Sequence, residues 1–175
     1  MPLSAVENAY LRVSQANRQQ LGYYGEALHL TSTTGLTLTE LQHRVCVDRL
    51  DLATHFLAAG DKLSRARPSQ PRSAISRFYY GMYHAMRAVV YFAEGGDDHE
   101  KHLILPKKTP ADFPSAALWQ NSLKDARERR NEADYDPYPA SQSHFFRVSR
   151  ALQGDAHGLV TESRNYLKSK GCLFL

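Results

Sequence analysis

The amino-acid sequence predicts an all-α fold: an up-and-down bundle of four main helices with an N-terminal helical extension. Apolar residues recur at intervals of three and four along most of the chain, which is the spacing of a buried helix face. Prolines and glycines fall between these stretches, and no region is rich in strand patterns. The 175 residues, 42% of them hydrophobic and 23% charged, suffice for one domain with a sizeable core.

Residues 1–36 are the predicted extension, and residues 37–175 are the predicted bundle. Apolar positions keep a helical rhythm through the first two dozen residues, although Asn17 interrupts it: Leu3, Val6, Tyr10, Val13, Leu21 and Tyr24. The threonine-rich stretch 30–39 predicts a loop, because threonine is a poor helix former and Gly35 interrupts the chain there. A short strand is the alternative, but it has no obvious pairing partner.

A long helix is predicted next, ending near Arg65. Thr37 and Glu40 match a capping box, in which each side chain satisfies a free N–H group of the other residue. An apolar stripe follows: Leu41, Val45, Leu52, Phe56, Ala59 and Leu63. Pro68 and Pro71 end the helix, since proline lacks the N–H group and clashes with the preceding turn. The next helix follows at once, so the two are predicted to form an antiparallel hairpin.

The central helix, residues 76–95, has two distinct faces. The inward face is apolar: Ile75, Phe78, Tyr79, Met82, Tyr83, Met86, Val89, Val90 and Ala93. The opposite face carries cations, an imidazole and phenols: Arg77, Tyr80, His84, Arg87 and Tyr91. An ordinary surface helix has a simple polar outer face, so this one is predicted to meet a partner or ligand. The alternative is half-buried packing without function, which is common for tyrosine and histidine.

Two further helices complete the bundle after a proline-containing loop at 99–114. One begins at Asp112 or Pro114 and ends before the Asp136–Pro139 stretch, with a thin apolar stripe: Ala117, Leu118, Ala126 and Ala133. The last runs from about Ala140 to Lys168. Its predicted inward residues are Phe145, Val148, Leu152, Leu159 and Tyr166, and its predicted points of bending or close approach are Gly154 and Gly158.

The net charge of +4 permits a nucleic-acid or nucleotide partner without requiring one. No apolar run approaches the roughly 20 residues of a membrane helix, and no secretory signal is recognisable, so a cytoplasmic location is expected. Cys46 and Cys172 are too few for a disulfide scaffold. No cofactor and no metal site are predicted, because the one candidate cluster is better explained as a hydrated loop: Asp97, Asp98, His99 and His102.

The charged end of the predicted helix that begins at Asp112 or Pro114 offers a phosphate-binding group. Arg127, Arg130 and Asp134 fall on one helix face. A guanidinium matches phosphate oxygens with two parallel hydrogen bonds, so these arginines are candidates for phosphate recognition. Spacing alone favours the alternative, which is a solvated helix end held by weak ion pairs.

Two segments in order, SRFYYGMYHAMRAVV and then RNEADY, resemble the HEPN domain, the higher-eukaryote and prokaryote nucleotide-binding family. The matching positions are Tyr79, Tyr80, Met82, Tyr83, His84, Ala85, Arg87, Ala88, Arg130, Ala133, Asp134 and Tyr135. The resemblance implies a homodimer with a cleft between the subunits. It also implies either a metal-independent ribonuclease, often a toxin paired with a nucleotidyltransferase antitoxin, or a non-catalytic RNA or nucleotide binder.

The ribonuclease members carry a histidine shortly after the arginine, whereas this chain has Tyr135 in that region. A phenol is a poor base at neutral pH, so a binding module is favoured, with a bound RNA, nucleotide or partner protein. The phosphate-binding candidates are Arg77, Arg87, Arg127 and Arg130, the stacking candidates Tyr80 and Tyr91, and the orienting and closing residues Asp134 and Tyr135. The alternatives are an endoribonuclease using His84 and Arg130, with Tyr135 as a third candidate catalytic residue, and a structural dimer without ligand.

Overall fold

The computed structural model describes residues 4–138 and 141–175. Within these ranges the protein is helical and contains no strand, which confirms the predicted all-α fold class. The helices are α1 Ala5–Gln15, α2 Arg18–Thr34, α3 Leu38–Arg65, α4 Pro71–Glu94, α5 Ala116–Tyr135 and α6 Gln142–Ser169, with a 3₁₀ turn at Leu105–Lys108. No helix in the described ranges is both long and apolar enough to cross a bilayer.

The chain forms two compact units, residues 1–41 and 42–175. In the first unit the predicted single N-terminal helix is in fact two helices, because Asn17 caps a new helix. The Asn17 side chain accepts from the Gln20 N–H at 2.9 Å, and the Gln20 side chain accepts from the Asn17 N–H at 2.9 Å. No residue of α1 or α2 is buried, and the described residues of the predicted apolar stripe are all exposed, whereas Leu3 lies outside the described residues.

The predicted loop at residues 30–39 is wrong at both ends, since α2 continues to Thr34 and α3 begins at Leu38. The hydroxyls of Thr31 and Thr34 donate to the carbonyls of Leu28 and Leu30, so these poor helix formers are satisfied within the helix. Gly35 ends α2 in the left-handed conformation.

The predicted capping box opens α3. The Glu40 N–H lies 3.2 Å from the Thr37 hydroxyl, and the Thr37 N–H lies 2.8 Å from the Glu40 carboxylate. These observations confirm the predicted start of the long helix.

The predicted apolar stripe of α3 is wrong in its phase, because Val45 and Leu52 are exposed and its other four residues are only half-buried. The buried residues are Cys46, Val47, Leu50, Ala53, Leu57 and Gly60. Asp48, which interrupts the predicted stripe, is exposed and pairs with Arg44 at 3.2 Å.

Helix α4 is the centre of the second unit. Its predicted inward residues are all buried except Ala93, which is exposed. The helix begins at Pro71, five residues before the predicted start, because proline suits the first helical turn. It ends at Glu94, followed by Gly95 in the left-handed conformation. On the opposite face Arg77 is exposed, whereas Tyr80, His84, Arg87 and Tyr91 are half-buried.

Two glycines let α3 and α4 approach closely. A Cβ atom on Gly60 would lie 2.6 Å from the Phe78 ring, and one on Gly81 would lie 2.8 Å from a Leu57 methyl group. Because neither glycine has a side chain, the backbones of α3 and α4 can approach each other closely beside the buried Phe78 ring. The predicted α3–α4 pairing is therefore present.

Helices α5 and α6 cover α4 from the other side. Helix α5 begins at Ala116, and its predicted stripe is partly wrong: Leu118 is 59% exposed and Ala117 is also exposed. The buried residues of α5 are Leu123, Ala126 and Ala133. The predicted stripe is thin and consists mostly of small residues, so it gives little information about which side of α5 faces the core.

All the predicted inward residues of α6 are buried except Val148, which is half-buried. Gly158 admits the Trp119 ring, which lies 3.1 Å from the position of a Cβ atom, whereas Gly154 has open space. The predicted starting residue, Ala140, lies outside the described residues.

Candidate functional site

A cluster of polar and aromatic residues lies where α4, α5 and the segment at 95–104 meet. We call it the α4–α5 site and define it by these residues: Tyr79, Tyr80, Tyr83, His102, Arg127, Arg130, Asp134 and Tyr135. The helical spacing of three and four places the three tyrosines on neighbouring positions of α4. The same spacing places Arg127, Arg130 and Asp134 on one face of α5.

Arg130 is held from several directions. Its Nη2 donates to the Tyr80 hydroxyl at 3.0 Å, its Nη1 donates to Asn131 at 3.1 Å, and its Nε lies 2.7 Å from the Asp134 carboxylate. The guanidinium carbon lies 5.5 Å from the Tyr80 ring centroid and 5.3 Å from that of Tyr135. These contacts fix the orientation of a cation between two phenol rings.

Arg127 contributes a second positive charge. Among residues 4–138 and 141–175 it has no ion-pair partner, and its charge acts on Tyr79 and His102. The neighbouring Arg129 behaves differently, because it lies near Asp125 at 3.4 Å and Glu132 at 3.7 Å. The α4–α5 site therefore holds more positive charge than its single carboxylate, Asp134, balances.

His102 is the histidine that lies beside these arginines, and the sequence analysis considers it only as part of the candidate metal cluster. Its ring stacks on Tyr83 with centroids 4.3 Å apart, and its Nδ1 lies 2.5 Å from the Tyr79 hydroxyl oxygen. It also meets the edge of Tyr80, whose hydroxyl binds Arg130. No spacing signal could have found it, since the segment that carries it reaches the site only by tertiary packing.

The pKa values at the site are set by burial and by the arginines. Partial burial, with the charges of Arg130 and Arg127 as further causes, lowers the pKa of His102. Burial raises the pKa values of Tyr79 and Tyr83, so both phenols stay protonated. At neutral pH the site therefore combines two arginine cations, the Asp134 carboxylate, a neutral imidazole and the protonated phenols of Tyr79 and Tyr83.

His84, the histidine chosen from the sequence, lies in a different environment. Its ring stacks on Phe56 at 5.4 Å, with 2° between the ring planes. Burial lowers its pKa to about 4, and the nearby Arg87 and Arg49 act in the same direction. The Tyr83 ring lies between His84 and His102, with centroids 5.1 and 4.3 Å away.

The other candidates on the outer face of α4 are engaged elsewhere. The Arg87 Nε lies 2.9 Å from the Asp97 carboxylate, a second bond joins the same two groups, and Arg49 pairs with Asp97 at 2.9 Å. The Arg49 guanidinium covers the Tyr91 ring at 4.5 Å. Arg77 lies 5.8 Å from the Phe56 ring. In the described ranges no contact joins Arg77, Arg87 or Tyr91 to Arg130.

The four residues of the candidate metal cluster do not converge. Asp97 is shared by two arginines, His99 lies 3.7 Å from Glu94, and His102 belongs to the α4–α5 site. The part of the chain that the structure describes contains no group of three or more histidine, cysteine, aspartate or glutamate side chains arranged to hold a metal ion.

Comparisons of the chain with protein-family models, with curated proteins and with solved structures found no match. The likeness to HEPN domains thus rests on the two sequence segments. The described contacts place the Arg130 guanidinium beside Tyr80 and Tyr135, and the charge of Arg127 acts on Tyr79 and His102.

Proposed function

We propose that the protein is a HEPN-type helical module that binds RNA or a nucleotide, with the α4–α5 site holding a phosphate group. The observation that carries the proposal is the excess of positive charge at the site. Arg127 has no ion-pair partner within residues 4–138 and 141–175, and it acts together with Arg130 on the same imidazole. A bound phosphate would balance this charge and accept hydrogen bonds from both guanidiniums.

The hydrogen bonds of Arg130 leave it able to bind a ligand. A guanidinium has five N–H groups, and those of Arg130 are only partly used by Tyr80 and Asn131. Asp134 holds the Nε side of the group at 2.7 Å, which leaves donors on the terminal nitrogens for a phosphate oxygen. Asp134 therefore acts as a positioning residue for Arg130.

Tyr135 supplies the surface for a base. Its side chain is 69% exposed, and the Arg130 guanidinium lies over its ring at 5.3 Å. Aromatic rings next to phosphate-binding cations are the usual stacking surface of proteins that bind single-stranded nucleic acids. Tyr80 is half-buried beneath the same guanidinium and fixes it from the inner side.

The family resemblance extends the proposal to partners. It supports a homodimer with the ligand or a partner protein in a cleft between subunits. It also supports a cytoplasmic role in a bacterial or archaeal toxin–antitoxin, defence or stress system, with a nucleotidyltransferase-type antitoxin as the partner. A dimer that binds no ligand is the structural alternative, and the titration below separates the two.

The test is a fluorescence titration of the protein with a labelled single-stranded RNA and, separately, with a labelled ATP. We expect salt-sensitive binding that weakens about tenfold or more in Arg127→Gln, because a charge-assisted hydrogen bond is lost. Arg129→Gln is the matched control on the same helix and should bind as the parent chain does. Equal losses in both variants, or no salt-sensitive binding of either ligand, would reject the proposal.

A second function, metal-independent RNA cleavage, is favoured by the position of His102 beside the arginines. A neutral imidazole could take the proton of a ribose 2′-hydroxyl while Arg130 holds the scissile phosphate. This requires the imidazole proton on Nδ1. Tyr79, kept protonated by burial, has a hydroxyl that can instead donate to Nδ1, which puts the imidazole proton on Nε2 as a donor. That second arrangement suits binding.

Incubation with total RNA in EDTA separates the two functions. Cleavage that is lost in His102→Ala and kept in His84→Phe would establish the enzyme and assign its base to His102. Loss in His84→Phe alone would support the sequence-based choice of His84. Intact RNA throughout leaves the binding function.

A further inference from the structure

The two cysteines of the chain come together in the fold. Cys46 lies on α3, and Cys172 lies just after α6, at the far end of the sequence. Both are buried free thiols and belong to the same core. Neither takes part in the α4–α5 site, so they form a separate feature of the molecule.

The end of α6 fixes the position of Cys172. The Cys172 N–H donates to the Leu167 carbonyl at 2.9 Å, and the Gly171 N–H donates to the Lys168 carbonyl at 3.0 Å. Gly171 has a φ of +78°, so the three observations together make a Schellman motif. The motif turns the chain back and places the Cys172 side chain against α3.

The α3 partner of this segment is the turn that begins at His43. The Cys172 sulfur lies 3.8 Å from the His43 carbonyl oxygen, and the Leu173 N–H donates to His43 Nδ1 at 3.1 Å. Helix side chains lean toward the N-terminus, so Cys46, one turn later, directs its sulfur toward the same turn. Both thiols therefore lie at the same turn of α3.

The thiols differ in how readily they ionise. Burial raises the pKa of Cys46 to about 12, and the neighbouring Cys172 adds to the effect. Burial also raises the pKa of Cys172, and the neighbouring Cys46 acts in the opposite direction. Cys172 also lies on a short segment held by a helix-end motif, where local opening costs less than it does inside a helix. Cys172 is therefore the thiol that reacts first.

We propose that Cys46 and Cys172 are a redox-modification site that forms an intramolecular disulfide through exchange with a low-molecular-weight disulfide. The Cys172 thiolate attacks one sulfur of the reagent and releases one thiol. The Cys46 thiolate then attacks the Cys172 sulfur of the mixed disulfide and releases the second thiol. The protein gives up two electrons and two protons, and the reagent takes them up as two reduced thiols.

The disulfide acts as a latch on the segment that follows α6. It ties residues 170–173 to α3 covalently and closes most of the second unit into one loop, which restricts the opened chain. In the reduced form only hydrogen bonds and packing hold this segment. Its opening is therefore controlled by the thiol–disulfide balance around the protein.

The experiment uses the reduced full chain and oxidised glutathione, followed by acid quenching and intact-mass and peptide mass spectrometry. We expect a product that lacks two hydrogens, carries no glutathione, contains a peptide linking Cys46 to Cys172 and returns to the dithiol with dithiothreitol. Cys46→Ala should accumulate a glutathione adduct on Cys172, because the second thiol is missing. Cys172→Ser should react more slowly than Cys46→Ala.

The same reaction in urea is the reference for reactivity of the unfolded chain. Stable adducts on the parent chain without the internal link, disulfides between chains, or thiols that react only in urea would each overturn the proposal. Hydrogen exchange provides a second readout: oxidation should slow the amides of residues 170–173 by about tenfold or more, since a closed loop opposes opening. Unchanged exchange in the linked product would overturn the latch.

Discussion

At the scale of single residues, the environment of a histidine decides its chemistry more than its place in a motif. His84 stands in the sequence pattern, but Phe56 covers its ring and two arginines face it. His102 belongs in the sequence only to the candidate metal cluster, yet it contacts Tyr79 and Tyr83 beside Arg130. The two side chains are therefore expected to respond differently to pH, and each response is measurable.

Acid should destabilise the protein through His84. Its pKa is lowered from 6.5 to about 4 in the fold, so the unfolded chain binds a proton first as pH falls. The neutral His84 side chain makes its full contribution to the free energy of unfolding above pH 6.5. As pH falls from 6.5 to 4, this contribution is lost, which lowers the free energy of unfolding by as much as about 3 kcal/mol. In His84→Phe, urea unfolding should lose this part of the pH dependence. His55→Gln, an exposed position on α3, should keep it.

Ligand binding should depend on pH through His102. In the free protein its pKa is lowered by burial and by the two arginines, and a bound phosphate places a negative charge beside it. The pKa then rises on binding, so affinity increases as pH falls through the value in the complex and levels off below the value in the free protein. The gain is about tenfold per unit of pKa change.

The control for this prediction is His102→Asn, which keeps a polar side chain but cannot titrate. Its RNA or ATP affinity, measured by the same fluorescence titration between pH 8 and about 5, should lack the histidine-dependent rise. If the parent chain and the variant show equal pH dependence, the imidazole does not face the bound phosphate.

At the scale of helices, local sequence signals predict the start of α3 and the end of α4. Tertiary packing determines which face of each helix is buried. The Thr37–Glu40 capping box and Gly95 each act within one turn, so the sequence predicted where α3 begins and where α4 ends. The stretch after Leu30 was predicted as a loop from threonine propensity, but its hydroxyls bond within α2. Propensity is a weak guide where side chains can satisfy themselves locally.

The crossing of α3 and α4 should be sensitive to a single methyl group. In Gly60→Ala the new Cβ would lie 2.6 Å from the ring of Phe78, which is fully buried. Overpacking of this kind costs about 1–3 kcal/mol, which exceeds the gain of about 1 kcal/mol from replacing a helical glycine. Urea denaturation should show a lower free energy of unfolding.

The matched control is Gly154→Ala on α6, where a Cβ atom would meet nothing within 4 Å. The same substitution there should stabilise the protein by about 0.5–1 kcal/mol, because only the helix propensity changes. Opposite signs for the two variants would identify close packing as the cause. A stable Gly60→Ala protein would mean that Phe78 can shift.

At the scale of the whole molecule, the sequence predicts those site residues that share one helix or lie on facing helices. Arg127, Arg130 and Asp134 share a helix face, so spacing alone brought them together. His102 could not be predicted, since a loop brings it in. Arg87 also could not be assessed, because its partner Asp97 comes from the segment after α4. The spacing of residues within one helix carries no signal for contacts with residues that lie far away in the sequence.

Every buried residue in the described part of the chain belongs to the second unit. In the first unit none of the described residues, 4 to 41, is buried. A chain of residues 37–175 keeps the whole core and the Thr37–Glu40 capping box. We expect its free energy of unfolding in urea to stay within about 0.5 kcal/mol of that of the full chain, as for changes at a surface. RNA or ATP affinity should also be unchanged.

A chain that starts at residue 42 is the control, because it lacks the capping box and the first turn of α3. It should lose about 1 kcal/mol or more relative to the chain that starts at residue 37, since the first N–H groups of the helix lose their acceptors. If the chain of residues 37–175 is itself destabilised relative to the full chain by more than about 0.5 kcal/mol, residues 1–36 support the fold. In that case the predicted boundary between residues 36 and 37 is wrong.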